Sequence, residues 1–145
     1  MSLIETEAQR LVDGYISAVR KADLEAFGAL FAADARIFDL WGPAWSFEGR
    51  AAWLQSVKQW FDSLGDEWVR VTFDDVQVSG SQDFGVLSAV LTYAAISSSG
   101  QELRSLQNRL TWTFAKREGG WKIIHEHTSA PVLHDGLEVL LKRST

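Results

Sequence analysis

The chain contains no cysteine, which excludes disulfides and thiolate metal sites and is compatible with a reducing cytoplasm. It also lacks any apolar run of membrane-spanning length, and Met1–Arg10 is too polar for a signal peptide. Repeats, linkers and low-complexity segments are missing. Basic residues are outnumbered, and the net charge of −5 disfavours a nucleic-acid or anionic-membrane partner. These gaps lead us to expect a cytoplasmic protein with neither kind of partner. What remains is a globular composition: 145 residues, 46% hydrophobic, enough for one domain over 1–145 with a real core. Seven tryptophans and eight phenylalanines suit either a broad dimer face or a cavity walled with rings, and composition alone does not choose.

Periodicity places the elements. Ile4, Leu11, Val12, Tyr15, Ile16 and Val19 form one helical stripe, so the Tyr15 ring is buried and its hydroxyl needs a partner. Asp23 is a fair N-cap for a second helix carrying Leu24, Phe27, Leu30 and Phe31. Residues 35–39 read as a strand that ends before Gly42-Pro43. Gly49 opens a third helix with Trp53, Leu54, Val57, Trp60, Phe61 and Leu64 on one face. In the next strand Val69, Val71 and Phe73 share one parity and Val76 and Val78 the other, which predicts a bulge at Asp74-Asp75. Strands over 84–96, 102–116 and 121–131 follow, with a short terminal helix over 136–143. Three helices followed by long antiparallel strands imply an α+β fold. The helices cover one face of a bent, mostly antiparallel sheet, a cone with an internal pocket.

Tyr15, the segment ADLEAFGALFAADA and Asp39 together resemble the opening of the ketosteroid isomerases and of the wider SnoaL-like group in the nuclear transport factor 2-like superfamily. The resemblance implies that Tyr15 is the oxyanion-binding phenol and Asp39 the proton-shuttling carboxylate, without a cofactor. By strand alternation Asp39 shares a face with Ile37, so it should lie under the helices, where burial raises its pKa. Trp41, Trp45 and Phe47 are nearby rings that would keep water out. A plain turn cap at Asp39 would instead be exposed and accept backbone N–H bonds.

Arg117-Glu118-Gly119-Gly120-Trp121 and His125-Glu126-His127-Thr128-Ser129 are similar to the closing hairpin of the calcium/calmodulin-dependent protein kinase association domain. The two resemblances cover most of the chain, with residues 50–100 matching only in element order. The isomerase's second acidic donor falls near Trp112, and two arginine positions of the kinase domain fall on Trp112 and Thr128. The first departure speaks against efficient steroid isomerisation, and the second against the acidic ligands of the kinase domain. A non-catalytic binding or oligomerisation module is the alternative to an acid–base enzyme acting beside a carbonyl.

Turn geometry decides which hairpin residues reach the pocket. With a three-residue loop Arg117-Glu118-Gly119, Lys116 faces Gly120, Trp112 faces Ile124 and Leu110 faces Glu126. Asn108, Leu110, Trp112, Phe114, Ile124, Glu126 and Thr128 then share the inner face. Arg109, Thr111, Trp121, Ile123, His125 and His127 share the outer one. A two-residue turn at Glu118-Gly119 would bring both histidines inside. The three-residue turn is favoured, because Gly119 suits its left-handed third position. Expected pocket residues beside Tyr15 and Asp39 are therefore Trp112, Asn108, Glu126, Thr128, Trp45 and Phe114, around a small apolar or cyclic carbonyl ligand. Glu126, a carboxylate in an apolar pocket, either titrates high or pairs with a donor. The outer face, with Arg109, Trp121, His125 and His127, is expected to form a homodimer. His125 and His127 have the i, i+2 spacing of a strand metal pair, but only distant His134 or acidic residues remain as further ligands, so no metal is expected.

Overall fold

The computed structural model describes residues 1–144. Helix α1 (Leu3–Lys21) starts at a capping box, in which Ser2 and Glu5 satisfy each other's backbone N–H, and ends at left-handed Ala22. Helix α2 (Leu24–Gly28) is capped by Asp23, whose side chain accepts from the Ala26 N–H. It is shorter than the spacing predicts. Leu30 and Phe31 are claimed by the sheet: the Leu30 carbonyl accepts from the Ile123 N–H, and Phe31 opens strand β1 (Phe31–Phe38). Strand β1 therefore begins before Ala35 and leaves Asp39 just past its end. Strand β2 (Phe47–Glu48) and helix α3 (Arg50–Asp62) follow, the latter entered through Gly49 at φ 94.

Strands β3 (Trp68–Gly80), β4 (Phe84–Ile96), β5 (Glu102–Arg117) and β6 (Gly120–Ser129) complete a six-stranded sheet in the order β2-β1-β6-β5-β4-β3. Every pairing is antiparallel except β1 with β6, so the sheet is mixed and mostly antiparallel, as the α+β expectation required. The bulge sits where the alternation slips: the β3–β4 register shifts between Asp74 and Gln77, and Asp75 has φ 52. That extra residue increases local twist and curls the sheet around the helices.

The β5–β6 hairpin corrects the predicted register twice. Arg117 pairs with Gly120, so the turn has two residues, Glu118-Gly119, with φ 91 at Gly119 and 118 at Gly120. A second shift lies between Phe114, opposite Ile123, and Thr113, opposite His125, leaving Ile124 as an extra residue in β6. The shorter turn flips the strand and the bulge flips it back. Trp112 thus faces Glu126 and Leu110 faces Thr128, while both histidines stay outside. Between turn and bulge the parity is reversed. Trp121 and Ile123, expected outside, are buried, and Ile124, expected inside, is only half-buried.

Two further expectations fail. Residues 136–143 form turns and a bridge between Val132 and Val139, not a helix. Leu141 and Arg143 of this tail bond Gln107 of β5, so sheet contacts outcompete local helix formation. Trp45, in the loop between β1 and β2, is 95% exposed and packs on neither the helices nor the sheet. Among the described residues no helix is long and apolar enough to cross a membrane.

Candidate functional site

A cavity of about 420 Å³ lies between α3 and the inner face of the sheet, with Tyr15 of α1 reaching in. That volume falls within the usual range for small-molecule sites. Trp53 and Trp60 of α3 and Trp41 from the loop after β1 supply large rings, as the aromatic composition suggested. Tyr15, Asp39, Asn108, Glu126 and Thr128 all line the same space, so five of the expected residues are brought together. The other three are not lining residues. Trp112 is fully buried behind Glu126, Trp45 is exposed, and Phe114 packs at the far end against Trp121, with ring centroids 6.0 Å apart. Gly85 makes room for Phe114: a Cβ there would meet its ring at 2.6 Å.

Tyr15 is held by helix periodicity and by rings, with Phe27, Phe73 and Trp112 at 5.4, 5.8 and 5.5 Å. Its hydroxyl lies 2.8 Å from that of Tyr93. Burial pushes both phenols well above their ordinary pKa, so neither is a base near neutral pH. Two hydroxyls share one mutual bond, which leaves one O–H free to donate into the cavity. Sequence reasoning missed Tyr93, although its signal was present. On β4 it continues the inward parity of Leu87, Ala89 and Leu91.

Asp39 combines the two roles weighed from sequence. Its Oδ2 accepts from the Trp41 N–H at 3.4 Å, as a turn cap would, and its Oδ1 accepts from the Thr128 hydroxyl at 3.2 Å. Thr128 in turn accepts from the Leu40 N–H at 2.8 Å, which fixes its hydroxyl toward Asp39. Desolvation raises the Asp39 pKa, and the bonds from Thr128 and the backbone oppose it. Glu126 has less help. It is 2% exposed, accepts one bond from Trp112 Nε1 at 2.9 Å, and titrates at about 7. Burial is the main cause, the indole bond opposes it, and the neighbouring Asp39 charge adds to it. Both sequence alternatives for Glu126 therefore hold together: it titrates high and it has a donor.

The parallel register that sets Ile37 against Glu126 is what carries Asp39 to Thr128 and joins the two carboxyl groups. Outside, Phe38 stands edge-on to His125 and His127, with centroids at 5.1 and 5.4 Å. No group of three or more histidines and carboxylates is placed to hold a metal among the described residues.

A SnoaL-like domain model matches residues 8–133. No curated protein matches the chain. Among solved structures, an NTF2-like protein of unknown function from Pseudomonas putida is 23% identical, with TM-score 0.78 over 97% of this chain and 96% of that one. A protein from Xanthomonas campestris, provisionally assigned as a calcium/calmodulin-dependent protein kinase II association domain, is 21% identical, with TM-score 0.72 over 86% of each chain. One from Streptomyces avermitilis, provisionally assigned as an NTF2-like dehydratase, is 22% identical, with TM-score 0.69 over 90% of this chain and 96% of that one. Identities this low establish the shared fold and not a shared activity. The fold is that of nuclear transport factor 2-like proteins, and the matched span shows that the chain belongs to the SnoaL-like family.

Proposed function

We propose that the cavity binds a small cyclic carbonyl compound and moves a proton at the carbon next to its carbonyl. The observation that carries this reading is a pair of carboxyl groups in one cavity whose surroundings treat them differently. Asp39 keeps two hydrogen-bond donors, the Thr128 hydroxyl and the Trp41 N–H, that favour its charge, whereas Glu126 is fully buried and neutral below about pH 7. Groups separated in this way divide the roles of base and acid. Asp39 takes the proton from carbon, and the free O–H of the Tyr15–Tyr93 pair donates to the enolate oxygen as charge develops there. Glu126 supplies a second acidic O–H. Its Oε1 is occupied by Trp112, which leaves Oε2 to carry the proton. This takes the place of the acidic donor that the ketosteroid isomerase resemblance finds missing at Trp112. The reaction class covers isomerisation, cyclisation and dehydration.

The test is solvent-deuterium incorporation next to the carbonyl in a panel of cyclic ketones. Exchange above the buffer rate is expected, with a bell-shaped pH dependence. Its acid limb follows Asp39 protonation and its alkaline limb Glu126 ionisation near pH 7. Ketones that bind without exchanging would leave a binding module instead.

We also propose that the protein is a homodimer through the convex sheet face. Trp121 drops out of that face, being 6% exposed, but Arg109 and His127 are exposed there beside half-buried Phe38 and His125. Light scattering at micromolar concentration should give about twice the 16.2 kDa chain mass. A monomer mass would remove the proposal.

A further inference from the structure

Among the described residues, two buried polar atoms on side chains that line the cavity have no partner. Trp53 Nε1 on α3 and Asn108 Oδ1 on β5 are both buried and make no hydrogen bond. Each residue is 7% exposed, and each lines the same space as Tyr15, Asp39 and Glu126. Buried donors and acceptors are almost always satisfied, so two orphans in one cavity call for an explanation. Their chemistry is complementary. The indole offers only a donor and the amide oxygen only an acceptor. Solvent barely reaches either atom, so each bears the cost of an unpaired buried polar group. A ligand in the cavity that supplies the missing partners relieves that cost.

We infer that Trp53 and Asn108 are specificity-determining residues of this cavity: the indole N–H donates to a ligand oxygen and the amide oxygen accepts a ligand hydroxyl. The ligand class is therefore a hydroxylated cyclic ketone and not a plain one. The ketone part of this inference rests on the proposed carbonyl chemistry, whereas the hydroxyl part rests on Asn108 alone. Asp39, Glu126 and the tyrosine pair handle the reacting carbonyl, while α3 contributes one recognition group and β5 the other.

The experiment measures dissociation constants by equilibrium dialysis for four probes: naphthalene, naphthol, the bicyclic ketone tetralone, and its ring-hydroxylated isomers. The wild-type protein is expected to bind at least one hydroxytetralone roughly ten-fold or more tighter than tetralone, because a site built for a hydroxyl penalises its absence. Asn108→Leu should bring that ratio close to one. Trp53→Phe should weaken the oxygen-bearing probes roughly ten-fold and leave naphthalene, which has no acceptor, unchanged. The wild-type ratio needs no variant, so a folding defect in either substitution leaves the test intact. A ratio near one for every isomer overturns the inference, and if deuterium exchange persists the carbonyl reading survives it. A retained ratio without exchange removes the carbonyl chemistry and keeps the recognition pair. Failure of all four probes to bind overturns both.

Discussion

Asp39→Asn is expected to slow deuterium exchange next to a ketone carbonyl by roughly 10²–10⁴-fold, the contribution of a positioned general base. Asparagine has nearly the same shape, and its amide oxygen can keep one of the two bonds, that from Thr128 to Oδ1 or that from the Trp41 N–H to Oδ2. Packing is conserved and the proton acceptor is lost. Binding of the ketone should change little, which places the effect on the rate of proton transfer. The exchange rate of the saturated protein, followed by mass spectrometry, is the deciding measurement. Among the described residues Glu126 is the only other one with a carboxyl group lining the cavity, and it is neutral below about pH 7. A variant that exchanges at the wild-type rate at pH 6 would exclude Asp39 as the base. Were its rate instead to rise steeply between pH 6 and 8, the base would be Glu126.

The elements of this fold were legible where a single periodicity operates. The stripe through Tyr15, the face of α3 and the parity slip at Asp74-Asp75 each depend on local spacing, and each is found in place. The failures lie where partners remote in sequence decide. Phe31 fits a helix stripe until the Ile123 strand competes for it, and the parallel register wins. The hairpin shows the same effect more sharply. Gly119 and Gly120 can satisfy either turn, and nothing local in β6 marks Ile124 as a bulge. Two unseen one-residue shifts cancel beyond the bulge, so Asn108, Glu126 and Thr128 reach the cavity as expected. Between turn and bulge they do not cancel, which is why Trp121 was assigned to the wrong face. Asp39 and Glu126 were readable as carboxyl groups next to apolar runs. Their meeting was not, because it depends on a pairing between strands some ninety residues apart in sequence. Tyr93 could have been found by alternation. The orphaned state of Trp53 Nε1 could not, since it depends on every neighbour at once.

Glu126→Gln is expected to stabilise the protein at pH 8 and to flatten its stability between pH 5 and 8. Glu126 titrates at about 7 in the fold, against an ordinary glutamate value of 4.5 in an unfolded chain. Between those values the folded state holds a proton that the unfolded state has released. Stability contributed by this group is therefore fully present below pH 4.5 and is lost progressively as pH rises through about 7. The gap corresponds to about 3 kcal/mol, the free energy of ionising a carboxyl group in a dry cavity beside Asp39. Glutamine removes that term while its amide oxygen still accepts from Trp112 Nε1. Asp39 has a raised pKa of its own and destabilises in the same direction, but it is present in both proteins and drops out of their difference to first order. Thermal unfolding at intervals across this range should show the wild type losing roughly 6–12 °C that the variant keeps. Parallel curves would mean that Glu126 is already ionised in the folded protein at pH 5. The second acidic donor to the enolate would then be gone, and Asp39 would work with the tyrosine pair alone.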